Sequence, residues 1–247
     1  MKISGNTILL TGGGSGIGRE LARRWHDLGN TVIITGRRID ALEETAHGYP
    51  AIHPYALDVD DPVAVESFVA DLLGRHPALN VLVNNAGIMR GEAIAAARDL
   101  ADARAMIETN LIGPIRLTDC LVDHLKSVAD AVIINVTSGL AFVPLARAAT
   151  YSATKAALHS YTLSLRQQLA GQVEVIEIIP PAVQTELTPG QSQREGYLPL
   201  DQFVDQTMAQ FETGAPPPEV CVPMVLFLRN AEAEGRFDQT LEAIASL

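Results

Sequence analysis

Tyr151 and Lys155 stand four residues apart in TYSATKAAL, residues 150–158. The surrounding spacing predicts a helix, so both side chains share one face. An ammonium beside a phenol favours the phenolate, which draws the tyrosine pKa down from about 10 toward working pH. Such a phenol can exchange a proton with a carbonyl or alcohol oxygen. The plain alternative is an unrelated Tyr and Lys on a helix surface, and the pair decides nothing until the rest of the chain is read with it.

Two further polar residues bear on the same chemistry. Ser138 follows an apolar strand predicted over 131–136, AVIINV. Ligands of an open parallel sheet bind at the carboxyl ends of its strands, which aims Ser138 at that crevice. Otherwise it is an ordinary strand-end turn serine. Asn110 lies in one long helix predicted over 99–126, a turn ahead of Gly113-Pro114. Pro114 removes a backbone donor and is expected to kink the helix. Asn110 then either holds a water on a freed carbonyl or is a solvent-facing or capping residue.

The elements that must position these residues alternate strand and helix. Residues 7–11 form a short apolar strand that runs into TGGGSGIG at 11–18, and 19–28 have helical spacing. Strand, glycine-rich turn and helix together bind a dinucleotide. Gly12, Gly16 and Gly18, with Ser15 and Ile17 among them, let the backbone approach a pyrophosphate, and the free N–H groups of the helix start favour an anion. A second strand, 31–35, ends in Gly36, Arg37 and Arg38. An acid at this place would accept from the 2′-hydroxyl of NAD, whereas guanidinium suits a 2′-phosphate. NADP(H) is therefore favoured over NAD(H). The alternative is two solvent arginines that open a helix.

A third strand, 52–57, closes on Asp58-Val59, followed by a helix over 61–75. Asp58 either accepts from an adenine amino group, with Val59 against the ring, or caps the next turn. The fourth strand, 81–83, runs into Asn84, Asn85, Ala86 and Gly87. Small residues there let a ligand lie on the backbone, and the Asn side chains can tie neighbouring strands. Beyond a helix over 150–169, a sixth strand at 173–179 leads into PPAVQTEL, which contains Pro181, Val183 and Thr185. Residues 188–213 begin polar and rich in Gly, Gln and Pro and read as a substrate-binding lid. Helices over 200–212 and 218–229 close the fold, and GAPPP at 214–218 is the one linker-like piece.

The totals agree with this reading. The 247 residues fit one domain, 1–247, of a doubly wound α/β kind with six to seven parallel strands and helices on both faces. Hydrophobic residues make up 47%, enough for a large buried core. A net charge of −11 argues against a nucleic-acid binder. The four-residue apolar core near the N-terminus is too short for a signal peptide or a membrane span. Cys120 and Cys221 form no cluster, and the six His show no metal-ligand spacing, so a reduced cytoplasmic protein without a metal is expected.

With these residues together the chain resembles the short-chain dehydrogenase/reductase family in its compact single-domain form. TGGGSGIG at 11–18, NNAG at 84–87, Asn110, Ser138 and YSATK at 151–155 carry the resemblance, in order and spacing. It implies that Tyr151 protonates the carbonyl oxygen in reduction or acts as base in alcohol oxidation. Lys155 would hold the nicotinamide ribose and lower the Tyr151 pKa, Ser138 would bind the substrate oxygen, and Asn110 would hold a relay water. Asn85, Ala86, Gly87, Pro181, Val183 and Thr185 would line the cofactor, Thr185 at the carboxamide. Three features depart from the family: Pro180-Pro181 where Pro-Gly is common, Ser15 where NADP members often have a basic residue, and the ending GRFDQTLEAIASL in place of a glycine-rich seventh strand. A homodimer is therefore expected, with a tetramer as the alternative. IIPPAVQTEL and FLRNAEAEGRFDQTL resemble a subgroup named after the lipoteichoic-acid D-alanylation locus.

The substrate pocket is expected between 88–91, 140–144, Ala182-Val183 and the lid with Tyr197. Leu140, Phe142 and Val143 on its wall favour a small, mostly apolar carbonyl or alcohol; Arg90 or Arg147 could bind a carboxylate, and the alternative for each is a surface role. The leading reading is an NADP(H)-dependent oxidoreductase that moves a hydride between nicotinamide and such a group. The alternatives are an NAD-dependent alcohol dehydrogenase, a non-catalytic dinucleotide sensor or scaffold, and an epimerase or dehydratase of a longer branch.

Overall fold

A computed structural model of the chain describes residues 1–245. Its centre is a sheet of seven strands: β1 (Thr7–Thr11), β2 (Thr31–Gly36), β3 (Ile52–Ala56), β4 (Leu79–Asn84), β5 (Val132–Val136), β6 (Glu174–Ile179) and β7 (Glu219–Cys221). They are ordered β3-β2-β1-β4-β5-β6-β7, and every pairing is parallel. Parallel neighbours need a crossover, and helices supply it: α1 (Gly16–Asp27), α2 (Ile39–Ala46), α3 (Pro62–Arg75), α4 (Ala101–Ile107), α5 (Gly113–Ser127), α6 (Ala149–Gln168) and α7 (Leu200–Phe211). Two short helices end the described chain, α8 (Leu226–Arg229) and α9 (Phe237–Ala245).

The strands have no polar alternation because both faces are covered. Successive residues nonetheless serve opposite faces. Ile8, Leu10, Ile34 and Val83 pack with Trp25 of α1 and Phe203 and Met208 of α7. Leu9, Ile33 and Leu82 pack on the other side with Leu72 of α3 and Leu117 and Leu121 of α5. β1 lies between β2 and β4, so the crossovers leave it in opposite directions and open a crevice at its carboxyl end.

Three elements differ from the sequence expectations. The helix expected over 99–126 is α4 and α5 joined by a π-turn, Glu108–Ile112. The distortion thus falls in the turn that carries Asn110, just ahead of Pro114, whose ring cannot fit a regular α-helical interior. The helix expected over 218–229 is instead β7, a 3-10 turn at Pro223–Val225 and the single turn α8. Pro218 and Pro223 leave too little chain between them for a helix, and the buried Val220 and Val222 favour an extended strand beside β6. The seventh strand therefore precedes the C-terminal ending, and most of that ending is α9.

Candidate active site

The glycine-rich turn is locked to the loop after β4 by side chains of both. The Thr11 hydroxyl accepts from the backbone N–H groups of Asn85 (3.1 Å) and Ala86 (3.0 Å). Asn85 Nδ2 donates back to the Thr11 carbonyl at 2.9 Å. The approach leaves no room for larger residues: a Cβ on Gly18 would stand 2.3 Å from the Gly12 carbonyl oxygen, and Gly12 has φ of 71°. Asn84 Nδ2 donates to Asn135 Oδ1 at 2.9 Å, so the strand-tying role expected of these Asn side chains is present.

Ser15 is extended at the start of α1, its side chain makes no cap, and the first turn holds no acid. The positive helix end is thus left for an anion. Beside it lies a cavity of about 190 Å³ lined by Gly12, Ser15, Arg37, Arg38, Asp58, Val59 and Gly87. Neither Arg37 nor Arg38 pairs with a carboxylate among the described ion pairs. Asp58 Oδ1 accepts from the Asp60 N–H at 3.2 Å, so the residue caps its turn while lining the cavity. Thr109, missed in the sequence, lines the same wall and donates to Asp60 Oδ2 at 2.8 Å. Backbone donors, a free helix start and two cations fit a nicotinamide dinucleotide.

A second cavity, about 310 Å³, shares Gly12, Ser15, Ala86 and Gly87 with the first. It brings Ser138, Tyr151 and Lys155 together with Gly16, Ile17, Gly18, Asn85, Pro181, Val183 and Thr185. Asn110 stands behind it, fully buried. Its Oδ1 accepts from the Ile88 N–H at 2.8 Å, and its Nδ2 donates to the Ile88 carbonyl (2.9 Å) and to Thr154 Oγ1 (3.2 Å). The side chain is therefore neither solvent-facing nor a cap. It fastens the loop after β4 to α6.

Tyr151 and Lys155 share one face of α6 and are almost wholly buried. Lys155 Nζ donates to the Val136 carbonyl at 2.8 Å and lies 5.7 Å from the centre of the Tyr151 ring. The expected lowering of the Tyr151 pKa is not found. Burial pushes the phenol up to about 12, and a hydrogen bond with Ser138 only partly opposes it. Burial likewise pushes Lys155 down to about 8, against the charge of Glu177, which favours the ammonium. Desolvation outweighs the phenol–ammonium attraction because the amine is turned to a carbonyl rather than to the phenol.

Glu92, also missed in the sequence, sets the start of α6. Its buried carboxylate accepts from the Thr150 N–H at 2.6 Å and the Thr150 hydroxyl at 2.7 Å, and Arg98 pairs with it. Burial raises its pKa, but the bonds from Arg98 and Thr150 outweigh that and hold the carboxyl below its ordinary value. Tyr151 follows Thr150 directly, so this anchor fixes the phenol.

Beyond Tyr151 lies a cavity of about 120 Å³ lined by Met89, Leu140, Leu145, Tyr197, Leu228 and Ile244, with Arg147 beside them. Two residues expected on its wall lie off it. Val143 is buried against Ala231 and Ile244. Phe142 packs edge-on against His159, under the Arg229 guanidinium. In the turn Gly139–Ala141 and the segment after it, Leu140 and Leu145 line the cavity while Val143 packs on the C-terminal segment and Phe142 on His159 and Arg229. Arg90 pairs with Asp102 and is not among the lining residues. Leu228 and Ile244 were not foreseen.

The sequence shows no ligand-spaced His, yet the fold gathers His159, Glu177 and Glu219 with ligand atoms within 4.8 Å of one another. Arg229 already forks onto Glu219 at 2.7 and 3.0 Å and supplies the positive charge a cation would bring. Among the described residues no helix is long and apolar enough to cross a membrane.

Crossover order, glycine turn and buried Ser-Tyr-Lys group define a dinucleotide-dependent oxidoreductase, and comparison with known proteins agrees. The short chain dehydrogenase family matches residues 6–196, and the chain belongs to that family. It is 45% identical over 198 residues to the uncharacterized oxidoreductase DltE of Bacillus subtilis, covering 79% of each chain. It is 38% identical over 184 residues to a serine 3-dehydrogenase of Agrobacterium fabrum, covering 74% of each. A short chain dehydrogenase from Burkholderia cenocepacia, solved in complex with NADP, superposes with a TM-score of 0.84 at 29% identity over 99% of both chains. The protein is an oxidoreductase that acts on alcohol or carbonyl groups with a nicotinamide dinucleotide.

Proposed function

We propose that the protein is an NADP(H)-dependent carbonyl reductase or alcohol dehydrogenase for small, mostly apolar substrates, with Asn110, Ser138, Tyr151 and Lys155 as its working residues. The observation that carries this reading is the shared wall of the two cavities, which puts Tyr151 and Lys155 in the same crevice as Arg37 and Arg38. When bound, the nicotinamide gives or takes the hydride. The Ser138 hydroxyl donates to the substrate oxygen and stabilises the charge that develops there. Tyr151 as phenol gives its proton to that oxygen in reduction, and as phenolate takes the proton from the alcohol in oxidation. Lys155, as ammonium, holds the ribose hydroxyls and offsets negative charge on Tyr151. The Asn110 side chain is committed to Ile88 and Thr154, so its backbone carbonyl in the π-turn is the group left to hold a relay water.

NADP is supported by the two unpaired guanidiniums and by the NADP-bound Burkholderia relative. The apolar lining around Leu140, Leu228 and Ile244 supports an uncharged substrate. Residues 188–213 serve as the lid: Gln191 Nε2 donates to the Val183 carbonyl, and Tyr197 reaches the substrate cavity. A homodimer in the reducing cytoplasm fits the two unpaired cysteines and the exposed Met224 and Phe227. The reading is tested by initial rates of NADPH and NADH oxidation against ketones, aldehydes and diketones. Turnover of apolar carbonyls with NADPH is expected. Faster turnover and tighter binding with NADH would overturn the cofactor assignment, and cofactor binding without any turnover would leave a sensor.

A further inference from the structure

Residues 188–213 carry one buried polar side chain that reaches both cavities beside Tyr151. Gln191 opens the 3-10 turn Gln191–Gln193, is 7% exposed, and lines the second cavity as well as the apolar one beyond it. Its Nε2 donates to the Val183 carbonyl at 2.8 Å and, at 3.4 Å, to Thr185 Oγ1. Its Oε1 accepts from the Thr188 hydroxyl at 2.9 Å. Only the NH2 end can face a carbonyl oxygen, which fixes the way the amide is turned. These bonds use up acceptors, because a carbonyl or hydroxyl oxygen has two lone pairs. The Val183 carbonyl also accepts from the Thr185 N–H at 2.9 Å, and Thr185 Oγ1 from the Leu187 N–H at 3.3 Å. With Gln191 in place both oxygens are saturated as acceptors, and the Thr185 hydroxyl has only its own proton to give.

Arg37 and Arg38 stand at one end of the crevice and Tyr151 at the other, so on the reading given above the nicotinamide lies in the second cavity, whose wall includes Val183 and Thr185. A nicotinamide carboxamide has an oxygen that accepts and an NH2 that donates. The Thr185 hydroxyl can donate to the oxygen, but neither it nor the Val183 carbonyl has a place left for the NH2. A glutamine side chain ends in the same primary amide. We propose that Gln191 is a gate residue: its amide occupies the acceptors that the carboxamide needs, and it holds the lid against this wall until the carboxamide displaces it. The inference rests on that placement of the nicotinamide. The segment is built to let go as a unit. Among the described residues the other hydrogen bonds of 188–193 stay within 186–194, with Glu186 accepting from the Gly190 N–H at 3.0 Å and from the Ser192 hydroxyl. Beyond it the lid is pinned separately: the Leu198 N–H donates to the Ala182 carbonyl at 2.9 Å, and the Leu198 carbonyl accepts from the Gln184 N–H at 2.8 Å. Release of Gln191 therefore frees the turn over the cavities and leaves the rest of the lid in place.

The test is isothermal titration calorimetry of the full chain with NADP+ and with its acetylpyridine analogue, in which a methyl ketone replaces the carboxamide and leaves no N–H to place. Gln191→Met keeps the length of the side chain without its hydrogen bonds. It is expected to bind NADP+ about threefold to tenfold more tightly than wild type, the scale of one hydrogen bond that no longer has to be displaced. The analogue needs no acceptor and is expected to gain less than about twofold. Thr188→Val removes the hydroxyl that orients the amide and is expected to give a smaller gain, again for NADP+ over the analogue. Unchanged or weaker NADP+ binding by Gln191→Met would overturn the proposal, since that sign belongs to a residue that helps to hold the cofactor. Equal gains for the two dinucleotides would overturn it too, since they mark a loop that has merely loosened. If Gln191→Met does not fold, Gln191→Ala takes its place with the same expectations. A wild type that binds neither dinucleotide strikes the functional reading itself; a wild type that binds NADP+ beside a variant that binds it no more tightly strikes only Gln191.

Discussion

The groove above β1 to β4 is walled largely by backbone, whereas the pocket beyond Tyr151 is walled by side chains from widely separated stretches of chain. On the first side Gly12, Gly18, Ala86 and Gly87 offer little but main chain, and Thr11 and Asn85 clamp that main chain rigidly. On the second side Met89, Leu140, Tyr197, Leu228 and Ile244 converge from loops and from the C-terminal helices. Backbone recognition suits a ligand that does not change. Side-chain recognition can be altered one residue at a time while the fold stays intact. α6 lies on the boundary and gives Tyr151 and Lys155 to both.

Substitutions on either side should separate these roles. The largest effect is expected at the boundary: Tyr151→Phe should lower the reduction rate by at least about 100-fold, with the NADPH dissociation constant within about twofold of wild type. Joint loss of NADPH affinity, read by fluorescence titration, would mean the boundary is not where we draw it. On the groove side, the double change Arg37→Ala with Arg38→Ala should weaken NADPH by about 10- to 100-fold and leave NADH almost unchanged. An equal loss for both cofactors would show that the arginines do not read the 2′-phosphate.

Glu92→Gln tests the anchor of α6. The Glu92 carboxyl is held below its ordinary pKa, so the stability it adds is full above the unfolded pKa and is lost as pH falls through the folded one. Thermal melts across the acid range should therefore fall more steeply in wild type than in the Gln variant, which should also show a KM for substrate raised by about threefold to tenfold. Parallel melting curves would deny Glu92 this role. The smallest effect is expected deep on the substrate side, where Leu228→Ala should raise KM for an apolar carbonyl by about twofold to threefold and leave NADPH affinity untouched.

The same division explains what could be read from the sequence. The glycine turn, Arg37 and Arg38, Ser138 and the Tyr151–Lys155 pair are local patterns beside strands of strongly apolar residues, and they lie where those patterns place them. Glu92 was not legible because its partner Thr150 is 58 residues away. Glu177 is an isolated acid in an apolar strand, and its meaning depends on Thr137 and His159 arriving from two other elements. Phe142 and Val143 were misplaced because an apolar residue after a strand faces whichever neighbour packs on it, here the C-terminal segment that was itself misread as one helix. The Tyr151 pKa was misjudged because spacing gives proximity to a charge but not depth of burial.

The π-turn at Glu108–Ile112 has a consequence for tolerance to insertions and deletions. Its wider ring holds one residue more than an α-turn over the same rise. Removing any one residue from it would leave a regular helix of acceptable backbone, so the lesion would not look harmful by secondary structure. It would, however, rotate everything on one side of the cut by about 100° relative to the other. Asn110 would leave Ile88, or Leu117 and Leu121 would leave the core under β4. At this point the number of residues, as much as their kind, is what natural variation has to preserve.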